Sequence, residues 1–286
     1  MRFKKELEEF RDKNNNKKIC LIIGDPVQHS LSPAMHNSAY RSMAMENDFI
    51  YDKITVKQED LEEFVFDLKD INKQTGSFVG LTCTMPHKQN IIKYLDELKE
   101  EARTIEAVNS VFYDGKNYIG YNTDWYGIER PFVERNIDLK YKNVAVIGAG
   151  GAARSAVYAF KKNDCKISIF NRTKEKADLL AREFDCNSFM LDNSNKIKQN
   201  DIIINTTSVG MGNLEGQSPI DVIILNREHI VFECIYNPKH TLLVKNAINA
   251  NSTVIFGWEM LLYQGVRQFE IYTSKKPDIE SMKSVL

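Results

Sequence analysis

Residues Asn143 to Ala156 read NVAVIGAGGAARSA, an apolar run, a glycine turn and an alanine-rich helix start. That succession suits a bound pyrophosphate. Gly148 permits a sharp turn, Gly150 lets the backbone approach the phosphates, and the small Gly151 and Ala152 leave room for close helix packing. With Ala149 between the first two glycines, this loop predicts a dinucleotide site. The new helix aims its unpaired N–H groups and positive dipole end at the phosphates.

The following strand is expected to end at Phe170, where an NAD-selecting protein presents Asp or Glu to the ribose 2′-hydroxyl. Here the residues are Asn171, Arg172 and Thr173, with Lys176 four positions past the arginine. A guanidinium and an ammonium suit a 2′-phosphate through charge-assisted hydrogen bonds. The expected cofactor is therefore NADP. The competing reading makes Arg172 and Lys176 ordinary charges on a surface turn, but no carboxylate stands at this offset.

Three earlier segments also carry chemistry. Ser30 and Ser32 place two hydroxyls ahead of Pro33, at the start of an expected helix where a carboxylate would be favoured; taken alone, Ser32 also reads as a helix cap. Thr82 to Lys88 (TCTMPHK) is a strand broken at Pro86 that delivers Lys88 to its carboxyl end, the edge where open α/β sheets bind ligands. A lone lysine there is more often solvated. Asn109 precedes the turn Gly120-Tyr121-Asn122-Thr123-Asp124, whose aspartate has a plain role as a helix-start carboxylate. None of the three is specific by itself.

The elements that must position these groups alternate. Strands are expected at 18–24, 49–56 and 77–84, with helices at 32–45, 59–71 and 90–98, then short strands near 108–113 and 118–121. A helix over 124–136 leads to strands at 143–147, 166–170, 201–205, 230–234 and 253–256, again separated by helices. In this second series such alternation predicts a parallel sheet covered on both faces. The fold class is α/β: an N-terminal α/β substrate domain at 1–123, completed by 258–286, and a Rossmann-type, doubly wound dinucleotide domain at 124–257. The apolar helix after Gly257 is expected to pack back on the first domain.

The bulk properties narrow the partners. Two ordinary domains fit 286 residues, of which 43% are hydrophobic and 27% charged. A net charge of −1 gives no nucleic-acid or membrane surface. Five scattered cysteines without a C-x-x-C pair point to reduced thiols in the cytoplasm and no zinc site. His29, His36 and His87 lack a metal-ligand pattern and are expected to make ordinary polar contacts, and Met43 and Met45 to pack at a helix end. The first eighteen residues lack an apolar signal core and carry Glu6, Glu8, Glu9 and Asp12. They read as an exposed short helix or partly disordered extension.

Taken together and in this order, the segments resemble the shikimate dehydrogenase family: HSLSPxxHN from His29, T-x-P-x-K from Thr84, AVN from Ala107, G-x-NTD from Gly120 and GAGGAAR from Gly148. The resemblance continues through NRT at 171–173, NTTSVGM at 205–211, YNPxxTxLL from Tyr236 and the MLLxQG run ending at Gly265. It implies NADPH-dependent reduction of 3-dehydroshikimate to shikimate in aromatic amino-acid biosynthesis. Lys88 and Asp124 would be the catalytic pair, with Ser30 and Ser32 on the substrate carboxylate. Thr84, Asn109, Tyr236 and Gln264 would hold ring hydroxyls or the carboxylate. Ser208 and the backbone of Cys234 and Gly257 would line the nicotinamide, lying between two domains that hinge to exclude water. The implied partner is a small-molecule substrate, and the chain a monomer or homodimer.

The chain departs from that family at Thr82 and Cys83, where Asn-Val is common, and at Glu233, where Asp is frequent. Thr82 offers no amide donor toward a ring hydroxyl, so a quinate/shikimate dehydrogenase of relaxed substrate and cofactor choice stands as the alternative. A catalytically silent NADP-binding sensor is a third reading. Retention of both Lys88 and Asp124 argues against it.

Overall fold

Six of the seven residues in KICLIIG, strand β1 (Lys18–Gly24), are buried, as a strand covered on both faces requires. The computed structural model describes residues 2–286, and the chain divides into two units, 1–123 with 265–286 and 124–264. In the first unit β1 lies between parallel neighbours β2 (Phe49–Thr55) and β3 (Phe78–Cys83). The sheet order is β2-β1-β3-β5-β6-β4, with β4 at Glu97–Leu98, β5 at Ser110–Tyr113 and β6 at Tyr118–Tyr121. Strands β3, β5 and β6 pair antiparallel in turn, so the sheet of this α/β unit is mixed. The cause is local. Asp114 Oδ1 accepts the N–H groups of Lys116 and Asn117, and Gly115 has φ +99°, a tight hairpin that reverses the chain.

Two helical expectations are corrected here. Helix α1 (Arg2–Lys13) is no exposed extension: Phe3 and Leu7 are 1% and 0% exposed, and the Phe3 ring meets Phe64 edge-on at 5.4 Å. Phe3, Leu7 and Phe10 repeat at helical spacing and pack on α3 (Leu61–Thr75), where Asp67 accepts the Lys4 backbone N–H at 2.9 Å. Residues 90–98 are not one helix. A short α4 (His87–Asn90) and a single 3₁₀ turn give way to β4, because β6 takes the backbone: Asp96 and Lys99 donate N–H to the carbonyls of Tyr118 and Gly120. Helix α2 (Ser32–Ser42) covers the opposite face of the sheet, and α5 (Glu100–Ile105) precedes β5.

The second unit begins with α6 (Asp124–Glu134) and carries an all-parallel sheet. Its strands are β7 (Asn143–Ile147), β8 (Lys166–Asn171), β9 (Asn187–Met190), β10 (Ile202–Asn205), β11 (Ile230–Glu233) and β12 (Thr253–Ile255). The order β12-β11-β10-β7-β8-β9 is the doubly wound order 3-2-1-4-5-6 counted from β7. Strand β9 was not expected, since its four residues, NSFM, show neither apolar alternation nor full burial. Helices α7 (Gly151–Lys162) and α8 (Lys174–Phe184) cover one face with α6, and α9 (Ser194–Lys198) and α10 (Leu242–Asn249) the other.

Helix α11 (Gly257–Thr273) stays with the second unit through Gln264, so the return to the first unit falls at 265 where 258 was expected. Packing explains the delay: a Cβ on Gly257 would stand 2.2 Å from the Ile235 carbonyl oxygen, and Met260 belongs to the core with Phe132 and Phe160. From Gly265 onward the helix joins α2, where a Cβ on Gly265 would meet Met35 Cε at 2.1 Å. The closing helix α12 (Ile279–Lys283) buries Met282.

Leu7→Ala removes a fully buried side chain from α1 and is expected to cost about 3 kcal/mol. Urea unfolding measures it; a loss below about 1 kcal/mol would mean that α1 does not belong to the core.

Candidate functional site

In the second unit the chain leaves β7 toward β8 and β10 toward β11, opening a crevice beyond the carboxyl ends of those two central strands, the usual ligand position of such sheets. Gly148 follows β7 with φ +115°, which a residue with a Cβ rarely adopts. A Cβ there would also stand 2.6 Å from Thr206 Oγ1, and the Gly148 N–H donates to Phe170 O at 2.8 Å. Gly150 is the N-cap of α7, and nothing lies within 4 Å of where its Cβ would be. The glycine leaves a cradle at a helix N-terminus that any side chain would fill, which fits a pyrophosphate. Ala149 lies between them. Close packing of α7 comes from Ala153 and Ala156, both fully buried, and not from the half-buried Gly151 and Ala152 assigned to it on sequence.

Strand β8 ends at Asn171, one residue beyond the expected Phe170, and Asn171 Nδ2 donates to Thr173 O at 2.8 Å. Arg172, Thr173 and Lys176 are exposed there. Lys174, between them, is committed to Asp178. Among the described residues no carboxylate pairs with Arg172 or Lys176, so both cations are available to a phosphate.

Beyond β10 and β11 the loops are held by two residues that sequence reasoning did not assign to the site. Asn205 Nδ2 donates to Glu233 Oε1 at 2.9 Å, and Asn205 Oδ1 accepts the Thr207 N–H and hydroxyl. Glu233 also accepts the Ile235 N–H at 3.1 Å and the hydroxyl of Thr241, the cap of α10, at 2.8 Å. The signal was present as polar residues ending the buried strands IIIN and IVFE. These bonds fix the loops carrying Ser208, exposed, and Cys234 and Tyr236, both half-buried. Burial raises the Tyr236 pKa, keeping its phenol neutral. Gln264 is buried, with Nε2 donating to Leu261 O at 2.9 Å.

In the first unit, backbone bonds gather the chemistry-bearing segments. Thr84 N–H donates to Ile23 O at 2.9 Å and Cys83 N–H to Asn109 O at 2.9 Å, while Val108 N–H donates to Lys88 O at 2.7 Å. Asn109 N–H donates to Tyr121 O at 3.1 Å. The Asn109 side chain, 2% exposed, accepts the Thr123 N–H at 2.7 Å and donates to Thr123 Oγ1 at 3.0 Å. Asp124, 4% exposed, follows as the first residue of α6. Lys88 and Thr84 are half-buried.

Three side chains behave differently from expectation. Ser32 is not the helix cap: Leu31 holds that position, and the half-buried Ser30 accepts the Ser32 N–H at 3.3 Å through Oγ. Thr82 is buried beneath the site, accepting the Tyr51 hydroxyl at 2.6 Å and lying 3.1 Å from the Tyr272 hydroxyl. Two tyrosines therefore use the hydroxyl whose lack of an amide seemed to matter for substrate. His36 makes no ordinary polar contact: it stacks on Tyr51 at 4.3 Å, and burial pushes its pKa down to about 3 against the pull of Gln268. His87 does make one, to Val56 O at 2.7 Å. Cys83 is no nucleophile, since burial pushes its thiol up to about 12 despite nearby Lys88. Among the described residues no group of three or more His, Cys, Asp or Glu is placed to hold a metal, and no helix is long and apolar enough to cross a membrane.

A doubly wound dinucleotide unit joined to an α/β unit that gathers a lysine, hydroxyls and amides defines a class of nucleotide-dependent α/β proteins. Sequence models of the shikimate dehydrogenase substrate-binding domain, of shikimate/quinate 5-dehydrogenase and of the shikimate 5′-dehydrogenase C-terminal domain match residues 22–111, 132–214 and 257–286. A shikimate dehydrogenase (NADP+) of Methanococcus aeolicus is 38% identical over 280 residues, spanning 96% of this chain and 98% of that one. A shikimate dehydrogenase crystallised with NADP+ superposes with a TM-score of 0.86 at 37% identity, over 94% of each chain. The Thermus thermophilus shikimate 5-dehydrogenase, solved with NADP(H) and shikimate, gives 0.84 at 29% identity over 93% of this chain and 97% of that one. The chain belongs to the shikimate dehydrogenase family.

Glu233 supplies a pH test. Burial raises its pKa from 4.5 to about 7, against the donors around it. Between those values the folded state holds a proton that the unfolded state has lost, so this contribution to stability is complete below pH 4.5 and disappears as the pH rises through 7. The difference is about 3 kcal/mol. Glu233→Gln can keep its partners, because the Thr241 hydroxyl can accept as well as donate. Urea unfolding at pH 5 and pH 7.5 should show the wild-type decline much reduced in Glu233→Gln; equal slopes would remove Glu233 as its source.

Proposed function

We propose that this chain catalyses the reversible, NADPH-dependent reduction of 3-dehydroshikimate to shikimate, a step of aromatic amino-acid biosynthesis, as a cytoplasmic monomer or homodimer. The reading is carried by the hydrogen-bond lattice of the first unit, which ties the Lys88 carbonyl to the Val108 N–H and the Asn109 side chain to the Thr123 N–H. Segments far apart in sequence thereby meet around one lysine.

Gly148, Ala149, Gly150, Gly151 and Ala152 would hold the pyrophosphate of NADP, and Asn171, Arg172, Thr173 and Lys176 its adenosine phosphate. Ser208, Cys234 and Gly257 would line its nicotinamide. When bound, NADPH supplies a hydride. Reduction of a ketone leaves negative charge on oxygen, and Lys88 Nζ gives that oxygen a proton, taking it back in the oxidative direction. Asp124 is the second group of the acid–base pair. Ser30 and Ser32 take the substrate carboxylate, and Thr84, Asn109, Tyr236 and Gln264 its remaining polar groups. Leaving any of these buried donors unpaired penalises a substrate lacking the matching hydroxyl.

Arg172 and Lys176 support NADP, and with it the shikimate enzyme over a quinate enzyme of relaxed cofactor choice. Initial rates with shikimate and quinate, each against NADP and NAD, decide the matter. Shikimate with NADP should dominate; equal rates with quinate and NAD would favour the alternative, and nucleotide binding without turnover a sensor. Lys88→Ala should lower kcat by about 10²–10⁴ with KM for NADP unchanged, and near-normal kcat would remove the lysine from acid–base work. Arg172→Asp should weaken NADP by about tenfold or more, the worth of a charged hydrogen bond, while sparing NAD.

A further inference from the structure

Gln268 is fully buried in the first unit, on the stretch of α11 that follows Gly265. Its Nε2 lies 2.9 Å from Ser110 Oγ, and Ser110 Oγ lies 2.9 Å from Asn109 Oδ1. The polarity of this chain is fixed by counting protons. Asn109 Oδ1 is an acceptor, identified as such by the Thr123 N–H it receives at 2.7 Å. A serine hydroxyl carries one hydrogen, so that hydrogen lies on the bond to Asn109. Gln268 must then face Ser110 with its amide NH₂, as it does. The other amide atom, Oε1, has no partner within hydrogen-bonding distance among the described residues. Beyond Ser110 the amide also acts on the buried His36 ring, raising its pKa against burial, so the relay through Ser110 must be tested apart from that contact. One turn further along α11, Tyr272 reaches the same polar centre of the sheet at Thr82.

We propose that Gln268 is a positioning residue for substrate recognition, holding Ser110 as a donor so that the Asn109 amide, and Thr123 beside it, keep the orientation in which Asn109 meets a ring hydroxyl of the substrate. This rests on the reading of Asn109 as a substrate ligand given above. The side-chain hydrogen bond of Gln268 goes to Ser110, and Gln268 acts through it.

The test is a double-mutant cycle on the full chain with Gln268→Met and Ser110→Ala. Gln268→Met keeps the volume, so a merely structural role would leave both KM values alone and lower only the thermal midpoint. The positioning role raises KM for shikimate about tenfold with KM for NADP unchanged, and the double variant is no worse than the poorer single. An unchanged shikimate KM, or effects that simply add, would overturn the proposal. A readout free of turnover is the side-chain amide NMR signal of Asn109, which shifts in Gln268→Met if the relay operates and stays in place if it does not. Failure of the unmutated chain to turn over shikimate would sink the substrate assignment, and the NMR shift would still decide the role of Gln268.

Discussion

The Asn109 amide is the point at which the first unit is tied together. A buried amide left unpaired is costly, and so is a buried backbone N–H; here each satisfies the other. Oδ1 receives the Thr123 N–H and the Ser110 hydroxyl, Nδ2 donates to the Thr123 hydroxyl, and the backbone of the same residue joins Cys83 on one side and Tyr121 on the other. The end of β3, the start of β5, the end of β6 and the turn into α6 are thereby referred to one side chain. A change at any of them leaves several polar groups unmatched at once, so these loops behave as one body.

The second unit reaches the same end with a carboxylate. Glu233 gathers Asn205, Ile235 and Thr241, holding the loops beyond β10 and β11 in register with the glycine turn beyond β7. The groups differ for a reason. A carboxylate accepts four hydrogen bonds and donates none, which suits a place where every neighbour is a donor. Asn109 must both accept and donate. Burying the carboxylate raises its pKa to about 7, whereas the amide carries no charge to desolvate.

The dinucleotide unit was the more legible half in the sequence. Its strands alternate with helices, Gly148 stands where only glycine fits, and its parallel order follows from crossover connections that short loops cannot replace. Where reading failed, the missing information was tertiary. The run 90–98 has helical periodicity, but an unpaired β6 edge claims its backbone. The first helix looked dispensable because its charged residues outnumber its apolar ones, although three aromatic and aliphatic side chains share one face. Lys88, Asn109 and Thr123 could be singled out in the sequence, and their drawing together needed the strand pairing. Gln268 and Ser110 carried no signal, since a glutamine on an apolar helix is indistinguishable from a solvated one until its neighbours are known.

The first unit is closed by the last part of the chain. Hydrogen bonds joining Ser110 to Gln268 and Thr82 to Tyr272 span 158 and 190 positions. At equilibrium such spans are tolerable, since each doubling of loop length adds only about 0.6 kcal/mol. On the ribosome they impose an order of events. The second unit is one continuous segment and can finish as it emerges. The aromatic floor formed by Tyr40 and Tyr51 must wait for Phe269 and Tyr272, leaving an oily surface open to chaperones until those two side chains have emerged.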